Sequence, residues 1–292
     1  MNLQKIAVIG HPIGHTMSPF IHRRLFALSG IPLDYSVMDV PDLGGAMPEL
    51  RRLDGFNVTI PHKAAIIPYL DGLDEKAALF GSVNTVACRD GKLFGYTTDG
   101  TGCLKALENH GLDFSGPLLI LGNGGAARAI AFEAAVRQRD FHITLACRRN
   151  SVEKAKGLAE ELACYARKRG DRDFWLCVAA YEELEGREPL GLLLNATSVG
   201  MYPHAGTSPV PDSVVRRCSA VFDAVYNPGE TALLKQARAA GCKTVGGMEM
   251  LVYQAVAAHE LWYGTTFRTE EIQKLCADAD REMCRMFGGS EG

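Results

Sequence analysis

Along the first third of the chain, short apolar runs alternate with stretches of helical periodicity. Residues 5–10 (Lys-Ile-Ala-Val-Ile-Gly) read as a buried strand closed by glycine. Residues 20–29 place Phe20, Leu25 and Leu28 on one helical face before Gly30. Ser18 and Pro19 ahead of them supply a capping hydroxyl and a first-turn proline. A strand at 33–40 and a helix at 41–53, with Leu50 and Leu53 inward, follow. In 55–63 (Gly-Phe-Asn-Val-Thr-Ile-Pro-His-Lys), Phe56, Val58 and Ile60 alternate with Asn57 and Thr59. That alternation predicts a short strand with both polar side chains on one side. Pro61 stops the strand and delivers Lys63 to its end. Helical pieces at 63–70 and 74–79 lead to a hairpin, 85–89 and 92–96, around the turn Asp90-Gly91. Residues 1–96 therefore predict a mixed α/β sheet.

After a helix at 101–110 the pattern changes. An entirely apolar strand, 117–121, runs into a glycine-rich turn and a helix at 126–138. Strands at 141–146, 190–194, 220–224 and 243–245 alternate with helices at 152–167 and 230–240. Five strands in this order predict a parallel, doubly wound sheet. Two helices, 247–264 and 269–287, close the chain. In the second, Ile272, Leu275, Cys276, Ala279, Met283 and Met286 recur at helical spacing, which marks a packing face. Residues 288–292 are expected to fray.

Composition narrows the class. Hydrophobic residues at 47% and charged residues at 22% suit an ordinary globular protein large enough for one large or two medium domains. A formal charge of −3 gives no electrostatic footprint for nucleic acid or an anionic membrane. No apolar run approaches the roughly 20 residues of a membrane span, and residues 6–9 are too short for a signal core. Nine cysteines, an odd number without a C-x-x-C pair, read as reduced thiols of a cytoplasmic protein. His11 and His15 lie four apart, but Pro12 and Gly14 between them argue against a helix, so no metal site is expected. No G-x-S-x-G hydrolase elbow is present.

Candidate chemistry begins at Gly122-Asn123-Gly124-Gly125-Ala126-Ala127, which follows a buried strand and opens a helix. Gly122 permits a tight turn, Gly124 and Gly125 leave no Cβ between backbone and pyrophosphate, and Ala127 lets helix and strand approach. The helix N-terminus offers free N–H groups and a positive dipole end to phosphate. At the end of the next strand, an NAD-binding protein carries an acidic residue for the ribose 2′-OH. Here the chain reads Ala146-Cys147-Arg148-Arg149, with Lys154 one turn on, so a 2′-phosphate and hence NADP(H) is expected.

The motifs together resemble the shikimate dehydrogenase family across nearly the whole chain. They are Gly10-x-Pro12-x-x-His15-Thr16-x-Ser18-Pro19-x-x-His22, Gly55-x-Asn57-Val58-Thr59-x-Pro61-x-Lys63, Gly81-x-Val83-Asn84-Thr85 and Thr98-Asp99-Gly100. The glycine-rich turn, Asn195-Ala196-Thr197-Ser198-x-Gly200-Met201, Asp223-x-x-Tyr226 and Gly247-x-x-Met250-Leu251-x-x-Gln254 follow in the family's order. The resemblance implies a mixed α/β substrate-binding and catalytic domain, 1–100, completed by 247–292. It implies a Rossmann-type NADP-binding domain at 101–246, with the substrate in the cleft between them. It further implies reversible NADPH-dependent reduction of 3-dehydroshikimate to shikimate in aromatic amino acid biosynthesis.

By the same resemblance Lys63 and Asp99 are the catalytic pair. Thr16, Ser18 and Tyr226 would hold the substrate carboxylate, and Asn57, Thr59, Lys63, Asn84, Asp99 and Gln254 would read the ring hydroxyls. Gly122, Asn123, Gly124, Gly125, Ala126, Arg148, Arg149, Lys154, Asn195, Thr197, Ala224 and Gly247 would contact the cofactor. A carboxylate beside Lys63 would orient its ammonium toward a ketone oxygen that becomes an alkoxide. The chain departs from the family's usual residues at Thr16 (serine), Thr97 (asparagine), Cys147-Arg148-Arg149 (Asn-Arg-Thr) and Glu249 (glycine). A quinate/shikimate dehydrogenase is the near alternative, and a nucleotide-binding regulatory protein without turnover the distant one. A monomer or homodimer is expected, with no nucleic-acid or membrane partner.

Overall fold

The computed structural model describes residues 3–14, 16–185 and 191–287. His15, the first residue of the strand expected at 190–194 and the tail expected to fray lie outside them. The fold is α/β and divides into two compact units, Met1–Gly102 with Leu251–Ala279, and Cys103–Met250 with Asp280–Gly292. The expected division gave all of 247–292 to the first unit. Leu251–Ala279 of that stretch groups with the first unit.

The first unit is built on a six-stranded sheet of β1 (Gln4–Gly10), β2 (Leu33–Asp39), β3 (Gly55–Val58), β4 (Gly72–Leu73), β5 (Thr85–Arg89) and β6 (Lys92–Tyr96). The spatial order is β2-β1-β3-β5-β6-β4. The first three strands run parallel, β3, β5 and β6 pair antiparallel, and β4 returns parallel to β6. Its helices are α1 (Ser18–Ser29), α2 (Leu43–Leu50), α3 (His62–Ala65), α4 (Glu75–Phe80) and the start of α5 (Asp99–Asn109). Central β1 is buried on both faces: Ala7 and Ile9 pack with Leu43, Met47 and Phe56, and Ile6 and Val8 with Phe26 and Tyr35.

Three local expectations are corrected. Strand β3 ends at Val58, two residues early, and Ile60 is 65% exposed rather than continuing the apolar stripe. Alternation holds within β3: Phe56 and Val58 pack into one core face, while Asn57 faces Tyr35 on the other, where it is also buried because both sheet faces are covered. Helix α1 takes Met17 as its cap; Ser18 is already helical, and its N–H bonds to Thr16 Oγ1 at 3.2 Å. The helix expected at 63–70 is split into α3 and a single turn at Ile67–Tyr69, where Pro68 lacks the N–H that would continue it.

The second unit carries β7 (Pro117–Leu121), β8 (His142–Cys147), β9 (Trp175–Ala180), β10 (Gly191–Asn195), β11 (Cys218–Asp223) and β12 (Lys243–Val245). All pair in parallel, in the order β12-β11-β10-β7-β8-β9. Counted from β7 this is the 3-2-1-4-5-6 arrangement of dinucleotide-binding sheets. Strand β9 was not expected. It is an edge strand exposed at its start and buried only at its end, so it shows neither alternation nor a continuous apolar run. Helices α6 (Gly125–Arg137), α7 (Val152–Arg169), α8 (Asp212–Val215) and α9 (Ala232–Ala239) connect the strands. Thr231 caps α9 by accepting from Leu234 N at 3.2 Å. Helices α10 (Gly247–Tyr263) and α11 (Thr269–Phe287) complete the chain. No helix among the described residues is long and apolar enough to cross a membrane. All nine cysteines are free thiols, and no described cluster of His, Cys, Asp or Glu is placed to hold a metal.

Within the first unit, His22 of α1 and His259 of α10 are both fully buried. The His22 ring stacks on Tyr35 at 4.7 Å and finds no hydrogen-bond partner among the described residues. Burial, with His259 nearby, pushes the His22 imidazole down to about 3 from its ordinary 6.5. Between those values the unfolded chain takes up a proton that the folded chain refuses, so stability is full above pH 6.5 and falls as pH drops. At pH 5 the His22 contribution to that loss is about 2 kcal/mol. In urea unfolding, His22→Gln should therefore lose about 2 kcal/mol less than the wild type between pH 7.5 and pH 5. An unchanged pH slope would show that His22 does not set the acid limit.

Candidate active site

Strand pairing brings the polar residues of the first unit together. Asn57 on β3 lies opposite Thr85 on β5, and Val58 N bonds to Asn84 O at 2.8 Å, so Asn57 and Asn84 are neighbours across the ladder. Past β3 the chain turns into α3, where Lys63 accepts from Val83 N through its backbone oxygen at 2.8 Å. Lys63 is thereby anchored through its backbone beside the 83–85 segment. Its Nζ donates to Asp99 Oδ2 at 2.5 Å; the two side chains are 17% and 6% exposed. Asp99 is the first residue of α5, where the positive end of the helix dipole favours a carboxylate. It holds Lys63 rather than serving only as a helix cap.

Asn84 braces this pair. Its Nδ2 donates to Asp99 Oδ1 at 2.9 Å and also lies 3.2 Å from Gln254 Oε1. Its Oδ1 accepts from Thr98 N at 2.8 Å, which fixes the amide's orientation. Thr16 donates to Ser18 Oγ at 3.1 Å. The buried Tyr35 hydroxyl donates to Asn57 Oδ1 at 2.9 Å, with Ser18 beside it. Residues 57, 63, 84, 99 and 254 thus form one linked polar cluster, which the Thr16–Ser18 pair borders at Tyr35. Thr59 sits at its edge, half-buried, with its N–H on Ile9 O at 2.9 Å. Thr97 adds no hydrogen bond: its buried hydroxyl finds no partner among the described residues. Tyr35 and Thr98 are participants that the motifs did not assign; a buried tyrosine whose hydroxyl needs a partner was the signal for the first.

In the second unit, Gly122 follows β7 with φ +108°, a conformation glycine adopts without strain, and α6 opens at Gly125. A Cβ on Gly124 would meet nothing within 4 Å, so the helix N-terminus faces open space where a phosphate fits. Asn123 Nδ2 donates to Ser151 O at 3.0 Å, tying this loop to the start of α7. Of the basic residues past β8, Arg149 is committed to Glu183 at 3.1 Å and Glu182 at 3.7 Å. Arg148 and Lys154 are exposed and have no ion pair among the described residues. The donor set therefore suits a dinucleotide with a further phosphate. Asn195 closes β10 and Thr197 follows it, Ala224 and Tyr226 follow β11, and Gly247 opens α10. At the end of β11, Asp223 is buried; desolvation pushes its carboxyl up to about 6 against three hydrogen bonds that favour the charge. Glu249 accepts from Asn109 Nδ2 at 2.8 Å and meets His110 Nε2 at 2.7 Å, fastening the start of α10 to the end of α5.

A Rossmann-type unit together with a mixed-sheet unit carrying a lysine–carboxylate pair defines an α/β dehydrogenase. Residues 8–86 match the family model for the shikimate dehydrogenase substrate binding domain. The chain is 40% identical to the shikimate dehydrogenase (NADP(+)) of Moorella thermoacetica over 98% of its own length and 95% of that protein's. It is 42% identical to that of Caldanaerobacter subterraneus over 89% and 91%. The crystal structure of shikimate 5-dehydrogenase from Thermus thermophilus in complex with NADP(H) and shikimate superposes with a TM-score of 0.81 at 33% identity, covering 94% of this chain and 99% of that one. The chain belongs to the shikimate dehydrogenase family.

Because a Cβ on Gly124 is sterically free in the protein alone, Gly124→Ala should leave Tm within about 2 °C while weakening NADPH tenfold or more in a fluorescence titration. Unchanged affinity would mean that this loop does not hold the pyrophosphate.

Proposed function

We propose that the protein catalyses the reversible NADPH-dependent reduction of 3-dehydroshikimate to shikimate, with Lys63 as general acid/base and Asp99 as its partner. The observation that carries this reading is the buried Lys63–Asp99 pair, braced by Asn84 and Gln254, in a chain of this family. The first unit binds the substrate, and the second binds the cofactor. NADPH, when bound, supplies the hydride.

The residues divide the remaining work by charge and hydrogen-bonding capacity. Thr16, Ser18 and Tyr226 present hydroxyls, which can donate to an acceptor-only carboxylate. Asn57, Thr59, Asn84 and Gln254 donate to or accept from ring hydroxyls, and Asp99 accepts one. As the ketone carbon is reduced, its oxygen gains negative charge. The Lys63 ammonium stabilises that charge and transfers a proton to the oxygen; Asp99 holds the lysine in place throughout. In the reverse direction Lys63 takes the hydroxyl proton. On the cofactor, Gly122, Asn123, Gly124, Gly125 and Ala126 receive the pyrophosphate, and Arg148, Arg149 and Lys154 the 2′-phosphate. Asn195, Thr197, Ala224 and Gly247 line the nicotinamide end. The protein works in the cytoplasm as a monomer or homodimer.

Initial rates followed at 340 nm with shikimate and quinate, each against NADP+ and NAD+, test the reading. Shikimate with NADP+ should give the highest kcat/KM, and a preference for quinate would assign the neighbouring activity. Lys63→Ala should lower kcat by about 10²–10⁴-fold with a small change in KM. A rise in KM alone would make Lys63 a binding residue. Arg148→Ala should raise KM for NADP+ tenfold or more and leave NAD+ nearly unchanged, since a charge-assisted phosphate contact is lost. Arg149→Ala should do less, because that side chain already serves Glu182 and Glu183. Equal losses with both cofactors would give Arg148 a structural part instead.

A further inference from the structure

Several residues assigned to the nicotinamide end gather around a side chain that has no part in the reading above. Asp223 closes β11 and is completely buried. Its Oδ1 accepts from Asn195 Nδ2 at 2.9 Å and from Val225 N at 3.0 Å, and its Oδ2 from the Thr231 hydroxyl at 2.6 Å. A carboxylate can only accept, so it turns the Asn195 amide with Nδ2 inward and Oδ1 outward. That Oδ1 accepts from both the N–H and the hydroxyl of Thr197, at 3.1 and 2.7 Å, and Thr197 Oγ1 accepts from Val199 N at 3.1 Å. The 195–199 turn is therefore folded upon an amide whose orientation Asp223 dictates.

Two glycines show how closely the cofactor segments meet here. A Cβ on Gly122 would stand 3.0 Å from Thr197 Cγ2 and 3.3 Å from Ala196 O. A Cβ on Gly247 would fall 2.4 Å from Ala224 O and 2.9 Å from Asp223 O. The glycine-rich turn, the 195–199 turn, the 223–226 turn and the start of α10 thus converge within van der Waals reach of one another, and the Asp223 carboxylate ties the middle two together.

We propose that Asp223 is a positioning residue of the cofactor site, setting the amide orientation of Asn195 and through it the 195–199 turn against the glycine-rich loop. This rests on the NADP(H) reading of the second unit. NADPH fluorescence titration, KM for NADP+ and Tm are measured on the full chain. Asp223→Ala should weaken NADPH and raise KM for NADP+ tenfold or more. In an Asn195→Ala background the same change should add less than twofold, because the two residues act as one unit. Asp223→Asn keeps an oxygen toward Asn195 and Val225 and offers its NH2 to Thr231, so NADPH affinity should stay within about threefold of wild type. Asn195→Asp keeps the side-chain volume but sets two carboxylates face to face, and should weaken NADPH tenfold or more.

Wild-type affinity in Asp223→Ala or in Asn195→Asp, additive losses in the double variant, or an Asp223→Asn protein as impaired as Asp223→Ala would each overturn the proposal. Wild-type protein that binds NADPH without turning over shikimate would refute the catalytic reading and leave the Asp223 result standing. No NADPH binding by the wild type would overturn both.

Discussion

The ion pair between Lys63 and Asp99 is the constraint around which the first unit is arranged. Both side chains are largely withdrawn from water, so each loses hydration that their mutual attraction must replace. Such a pair is tolerable only when the remaining lone pairs are also satisfied, and Asn84 does this for the second carboxylate oxygen. Removing one partner of a buried pair leaves a charge uncompensated, at a cost of roughly 3–5 kcal/mol. Keeping the other atoms of the cluster in place is therefore a condition for the proposed chemistry. The parallel–antiparallel switch at β3 supplies that condition: it sets Asn57 beside Asn84 and leaves the strand ends free to turn toward Lys63 and Asp99.

The second unit solves a different problem with different means. A dinucleotide carries its charge on phosphates, and the answer is backbone N–H groups, absent side chains and a helix dipole rather than a compensated ion pair. Arg148 and Lys154 are exposed and have no ion pair among the described residues, which suits the phosphate contact proposed for them. Arg149 shows the contrary case. Its carboxylate partners, Glu182 and Glu183, stand on the turn that follows β9, so the strand that escaped sequence reading also hides the partner of an arginine that it would have assigned wholly to phosphate.

Where local expectations failed, the cause was competition from the rest of the fold. Ser18-Pro19 has the chemistry of a cap, yet the preceding turn places Thr16 Oγ1 on the Ser18 N–H and begins the helix one residue sooner. Alternation along 56–58 holds, but the apolar stripe stops with β3 and leaves Ile60 exposed. A strand covered on both sides has no solvent face, and Asn57 is buried because Tyr35 and Asn84 satisfy it. Edge strand β9 packs through its end only, and half-buried residues leave no period to detect.

By itself the sequence determined the two α/β units, the glycine-rich turn at the head of α6 and the residues able to hold charge, because these follow from local periodicity and from side-chain chemistry. It determined family membership as well, through motifs spread along most of the chain. Only the tertiary structure decided which charges are paired. Lys63 and Asp99 stand 36 residues apart, Asn84 and Gln254 170 apart, and Asn195 and Asp223 28 apart. No local pattern encodes a contact at such separations, since it arises from strand order and from the demand that every buried polar atom find a partner. The lysine was legible as a lysine at a strand's end. Its carboxylate, the amide that braces it and the buried aspartate in the second unit became legible only once the sheets were assembled.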